Sequence, residues 1–135
     1  MIQDTIKMQT VSEALYVDVS MWNSVSQKFN TALLTFDTGA TVTTISSEIL
    51  RRLGYDVDNG KKEKITTGSG VAYVREIIVD RVRIGKLELE NVRVYAHEFP
   101  DECFTVGVIG LNVLSQFDIL LSFSNKTIKL AKIEQ

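Results

Sequence analysis

The chain has 135 residues, 44% hydrophobic and 24% charged, enough for one packed domain without disulfide or metal staples. Fifteen basic against seventeen acidic residues leave a net charge of −2, which offers no general attraction to nucleic acid or to an anionic membrane. No apolar run approaches the ~18 residues that span a bilayer, MIQDTIKMQT lacks the pattern of a signal peptide, and the one cysteine, Cys103, can close no internal disulfide. The expectation is a single cytoplasmic domain over 1–135.

Short strands dominate the pattern in chain order. In ALYVDVSMW (14–22), Leu15, Val17 and Val19 alternate with Tyr16, Asp18 and Ser20, the period-two mark of a half-buried strand. WNSVSQKFN (22–30) is polar enough for a hairpin connection. TALLTF (31–36) follows with little alternation, which predicts a strand buried on both faces. SSEILRRLG (46–54) reads as a helix, with Ser46 or Ser47 as cap, Ile49, Leu50 and Leu53 on one face, and Gly54 at its end. KKEKITTGSGVAYVREIIV (61–79) predicts two strands joined by a glycine-rich tip. VRIGKLELENVRVYAHEF (82–99) alternates again, with a turn at Gly85-Lys86. Beyond the loop PDECF (100–104) lie TVGVIG (105–110), a short helical piece LNVLSQF (111–117), and the strands DILLSF (118–123) and TIKLAKI (127–133). The fold class is mostly β, with one or two short helices.

Several residues that could carry chemistry are better explained otherwise. TGSG is too short for a phosphate loop and lacks its Lys-Ser/Thr ending. His97 is the only histidine and has no second ligand at metal spacing, so neither a metal nor a cofactor is expected. Cys103 sits among acidic neighbours that disfavour the thiolate. KKEK (61–64) reads as a solvated face, because no aromatic platform accompanies it.

Asp37 is harder to dismiss. It interrupts a run of apolar and β-branched residues in TALLTFDTGATVTTIS, where a carboxylate is costly unless hydrogen-bonded or needed for chemistry. Asp followed by Ser or Thr and then Gly arises by chance in roughly one in twenty chains of this length, and it is also a turn sequence. A second element, VIGLNVLSQFDILL (108–121), lies about seventy residues on, with a hairpin between the two.

Together these elements resemble the retropepsin-like aspartic proteases over about residues 14–133. The likeness is closer to cellular, single-domain relatives than to viral enzymes. It implies one acid-protease-like β-barrel lobe with a β-hairpin flap, and an endopeptidase acting on peptide or protein substrates. Asp37 is then half of a water-activating dyad, with Thr38, Gly39 and Gly110 supporting it. Ala40 and the tip residues Thr67, Gly68, Ser69 and Gly70 are expected to bind substrate. Only one Asp-Thr-Gly is present, so the second aspartate is expected from another copy, in a homodimer; Asp18, Asp80 and Asp118 are the weaker internal alternatives. The terminal strands, IKMQT and TIKLAKI, are the expected intersubunit sheet.

The sequence departs from the retroviral pattern at two places, Thr41 and Leu111, where an acidic residue and an arginine usually pair. The tip is similar to the Thr-Gly-Ser of pepsin flaps, but Ile65 takes the place of the flap tyrosine, with Tyr73 out of register. The alternative reading is therefore a catalytically silent domain that keeps the fold for peptide binding or dimerisation.

Overall fold

The structure, a computed structural model, describes residues 2–11, 13–68, 70–100 and 105–134, the side chain of Thr67 excepted. Its strands are β1 (Gln3–Lys7), β2 (Gln9–Val11), β3 (Ala14–Asn23), β4 (Lys28–Phe36), β5 (Thr44–Ser46), β6 (Lys61–Thr67), β7 (Gly70–Ile84), β8 (Leu87–His97), β9 (Gly107–Ile109), β10 (Phe117–Ser122) and β11 (Thr127–Lys132). Two short helices, α1 (Ser47–Arg52) and α2 (Leu111–Leu114), follow β5 and β9.

Six strands close a barrel. The order β3-β4-β9-β5-β8-β7 returns to its start where Ser20 and Met21 of β3 pair with Arg83 and Val82 of β7. Closure hides the strand edges that an open sheet would expose. The period-two pattern of β3 turns Val17, Val19 and Met21 into the barrel and Asp18 outward. Tyr16 departs from that alternation and is buried, at the level where Gln9 of β2 pairs with it.

Strand β4 is less buried than its composition suggests. Leu34 alone is fully enclosed, while Leu33, Thr35 and Phe36 are half-buried. The reason lies in the pairing: β4 meets β3 over eight residue pairs but β9 only at Thr35 and Phe36. The hairpin connection also shrinks, because β3 and β4 extend to Asn23 and Lys28.

The core collects Leu34, Ile45, Leu50, Val79, Ile109 and Ile128, each essentially inaccessible to water. Burying such a side chain contributes about 1.5–3 kcal/mol. Leu50 reaches this core from α1, whose end is fixed by Gly54 at φ +91°. The N–H groups of Gly54 and Tyr55 donate to the carbonyls of Arg51 and Leu50, a doubly bonded stop that needs a left-handed residue. No serine side chain caps the other end: Ser46 is the N-cap by position only, and Ser47 is the first residue of the helix.

A second sheet runs β1-β11-β10. Here the expectation is corrected for TIKLAKI. β11 is the central strand, paired with β1 and β10 of its own chain, so it has no edge to offer a partner. Among the described residues, only the outer sides of β1 and β10 remain as edges of this sheet. Asp4 of β1 ties the sheet to the barrel by accepting the Lys86 N–H at 2.9 Å, in the β7–β8 turn.

Candidate active site

Asp37 follows the last residue of β4, where the chain stops pairing and turns. Its N–H donates to the carbonyl of Ile109 in β9, at 3.2 Å, so the turn begins on a fixed strand. Its own carbonyl accepts the Ala40 N–H at 3.2 Å, and its Oδ1 accepts the Gly39 N–H at 2.8 Å. A Cβ at position 39 would stand 3.0 Å from that oxygen, so glycine keeps the approach open. The Asp37 side chain is half-buried, and Thr38 and Gly39 are exposed beside it.

The glycine element lies directly behind this turn. A Cβ on Gly110 would come within 2.7 Å of the Ala40 carbonyl oxygen and 2.9 Å of the Val42 carbonyl carbon. Only a residue without a side chain lets these two backbones pass so closely. Leu111 donates its N–H to Ala40 and Asn112 donates its N–H to Thr41, at 2.8 and 3.1 Å. The places where retroviral enzymes hold an ion pair are thus joined here by main-chain hydrogen bonds, with the Thr41 side chain exposed and Leu111 40% exposed.

A partly buried polar clasp completes the support. Asn112 Oδ1 accepts from the Thr43 N–H and from the Thr43 hydroxyl, at 2.8 and 2.9 Å. That hydroxyl oxygen in turn accepts the Gly110 N–H at 3.0 Å, and Asn112 Nδ2 donates to the Arg93 carbonyl at 2.7 Å. Every hydrogen-bonding function of these two side chains that faces the interior is used, as buried polar groups require. The clasp joins the Asp37 turn, the glycine element and β8.

Asp37 opens into a cleft of about 720 Å³. Its lining brings together Asp37, Gly39, Ala40 and Gly68 from the predicted set, and adds Thr41, Val42, Thr44, Ile65, Thr66, Arg93 and Tyr95. Gly110 packs behind the cleft wall rather than lining it. Thr38 and Gly70 are outside the lining, Ser69 lies outside the described residues, and so does the side chain of Thr67. The β6–β7 hairpin supplies Ile65, Thr66 and Gly68, so one wall of the cleft is a two-stranded ribbon projecting from the barrel.

Arg93 and Tyr95 escaped the sequence reading because VRVYAH shows only strand alternation. Their place follows from β8 pairing in parallel with β5, where Tyr95 stands opposite Thr44. No local signal in the sequence announces that pairing.

The remaining candidates lie elsewhere. Among the described residues no other carboxylate lines the cleft: Asp18 accepts from Gln9 Nε2 on the outside of β3, and Asp118 is exposed on the second sheet. The Asp80 side chain is exposed, and its backbone N–H donates to the Tyr55 hydroxyl at 3.1 Å. Tyr73 points away from the cleft, 60% exposed, with Lys62 Nζ 4.8 Å from its ring centre. An aromatic ring therefore does accompany the KKEK run, contrary to the sequence reading. His97 ends β8, half-buried and edge-on to Phe99. Cys103 lies outside the described residues. Among the described residues no group of three or more His, Cys, Asp or Glu could hold a metal ion.

The barrel, the Asp-Thr-Gly turn on its glycine element and the adjoining hairpin define a retropepsin-like lobe. The family described as gag-polyprotein putative aspartyl protease matches residues 24–116, about two thirds of the chain, and the chain belongs to that family. Among solved structures, it is similar to a retropepsin-like aspartic protease from Rickettsia conorii, with 20% identity and a TM-score of 0.69. That match covers 96% of this chain and 89% of the other, and it establishes the fold. A search of the curated proteins finds no match.

Proposed function

We propose that this chain is an aspartic endopeptidase whose dyad forms across a homodimer, one Asp37 from each copy. The observation that carries this reading is the single carboxylate of the cleft. Asp37 is held by the Gly39 N–H at the mouth of a cleft large enough for a peptide, and no second carboxylate lines that cleft among the described residues.

Two carboxylates set face to face on a two-fold axis cannot both ionise comfortably, so they share a proton and titrate as a pair. The ionised member takes a proton from water as the water oxygen attacks the scissile carbonyl. The protonated member donates to the carbonyl oxygen. Collapse of the tetrahedral intermediate breaks the C–N bond, and the amine leaves with a proton returned from the dyad. In this reading Thr38, exposed beside Asp37, steadies the partner's turn, and the β6–β7 hairpin acts as a flap over the bound peptide. Leu111, apolar and exposed next to the turn, offers surface for the second copy.

The experiment is cleavage of an unfolded protein across a dilution series, with and without a peptide mimic carrying a central hydroxyl. Activity should fall more steeply than protein concentration, and the mimic should abolish it. Sedimentation should show a two-subunit species over the same range. A strict monomer with undiminished specific activity would refute a dyad completed in trans.

A further inference from the structure

Among the described residues, the cleft beside Asp37 is lined by one cation, Arg93. Among the described residues its lining is otherwise hydroxyl-bearing or apolar, apart from Asp37 itself. Arg93 is carried there by the middle of β8, whose backbone is pinned by the bond from Asn112 Nδ2 to the Arg93 carbonyl. The guanidinium lies over the Tyr95 ring, 5.4 Å from its centre, and is 45% exposed. A guanidinium within about 6 Å of an aromatic face is attracted to it, and its N–H groups stay free to bond elsewhere. Among the described residues its one ion pair is a long contact, 3.5 Å from Nη1 to Oε2 of Glu76.

Glu76 does not belong to Arg93 alone. Lys61 is drawn to it as well, although the Lys61 ammonium is bonded first to Glu63 at 3.2 Å, and that bond chiefly raises its pKa. These three charges sit on the flanking hairpin strands and do not line the cleft. The arginine is thus preorganised, partly exposed and only loosely paired, on the wall that a substrate peptide would run along. A carboxylate meeting a planar guanidinium can form two parallel charge-assisted bonds.

We propose that Arg93 selects substrates with an acidic side chain near the scissile bond, so that the enzyme prefers to cut beside glutamate or aspartate. The proposal rests on the peptidase reading and names its substrate class. In a symmetric dimer each copy presents one Arg93, giving an acid-selective position on either side of the cut. The interaction exists in the ground state as well as the transition state, so it should act mainly through KM.

The test uses quenched fluorescent peptides on one apolar scaffold, with Glu or Gln at each position near the cut. At pH 6 the wild type should cleave the best Glu peptide with roughly fivefold higher kcat/KM than its Gln twin, the size expected of a partly exposed charge-assisted pair. The ratio should fall toward one below about pH 4, as the substrate carboxyl is protonated while Arg93 remains charged. Arg93→Gln should bring the ratio to about one throughout; a ratio taken within one variant is insensitive to how much of it folds. A wild-type ratio of one at every position, or a ratio that survives in Arg93→Gln, overturns the proposal.

Binding separates this outcome from failure of the peptidase reading. Asp37→Asn should bind the Glu peptide more tightly than the Gln peptide, and Asp37→Asn with Arg93→Gln should not. A protein that shows this preference but cleaves nothing would refute the peptidase and leave acid selection standing. Equal or absent binding of both peptides by Asp37→Asn would refute acid selection.

Discussion

Asn112 holds Thr43 by two hydrogen bonds to one carboxamide oxygen, from the threonine N–H at 2.8 Å and its hydroxyl at 2.9 Å. The contact spans 69 residues of sequence and locks the segment after Asp37 to the helix after Gly110. Asn112→Ala would leave the Thr43 N–H and the Arg93 carbonyl without their partners. Thr43 is buried, and orphaning a buried N–H costs about 1–3 kcal/mol, so the variant should lose stability on that scale in denaturant unfolding and lose activity with it. A variant as stable as wild type would show that the clasp does not hold the two segments together.

Gly110→Ala tests the close approach beneath the turn. The added Cβ meets backbone atoms at 2.7 to 3.1 Å, and backbone cannot rotate aside as a side chain can. Strain of this kind typically costs about 1–3 kcal/mol. The midpoint of chemical denaturation should drop accordingly, and Gly68→Ala should leave it nearly unchanged, since nothing lies within 4 Å of a Cβ there. Equal effects of the two substitutions would contradict the packing described.

The hairpin tip should be the loosest part of the cleft. Cβ atoms at Gly68 and Gly70 would also meet nothing within 4 Å, whereas Leu34 of β4 is wholly buried in the core. Hydrogen exchange at Gly68 and Gly70 should be faster than at Leu33 and Leu34, and should slow when a substrate mimic binds, as for other lids. Tip amides as protected as those of β4 in the free protein would exclude a mobile flap.

Much of this architecture was legible in the sequence, and the illegible parts share a cause. Period-two alternation located β3 and β8, the glycine-rich tip marked the β6–β7 hairpin, and Gly54 marked the end of α1, because these features depend on near neighbours, whereas β7 runs unbroken to Ile84 past the break expected at 79–82. The Asp-Thr-Gly turn and its glycine element were visible as local motifs. The burial of β4 was misjudged because it depends on how few residues β9 pairs with, and β9 lies seventy residues away. Arg93 and Tyr95 were missed for the same reason: the parallel pairing of β5 with β8 brings them to the cleft, and no short stretch encodes it. TIKLAKI is a strand as expected, but it lies between β1 and β10, while IKMQT is divided between β1, which pairs with β11, and β2, which pairs with β3.

Asp37→Asn is the measurement that bears most directly on the central claim. The substitution keeps the size of the side chain and an oxygen to accept the Gly39 N–H, so fold and dimer should persist by circular dichroism and sedimentation. It removes the ionisable group from both halves of the dyad at once, so neither general base nor shared proton remains. The wild type should cleave a test peptide with a bell-shaped pH profile, both limbs belonging to the coupled pair, and an optimum in the acidic range. The account predicts that the folded, dimeric Asp37→Asn protein loses at least about a thousandfold in kcat at every pH, in line with the loss of an essential acid–base group. Cleavage by Asp37→Asn at the wild-type rate would contradict it and show that Asp37 is not the catalyst.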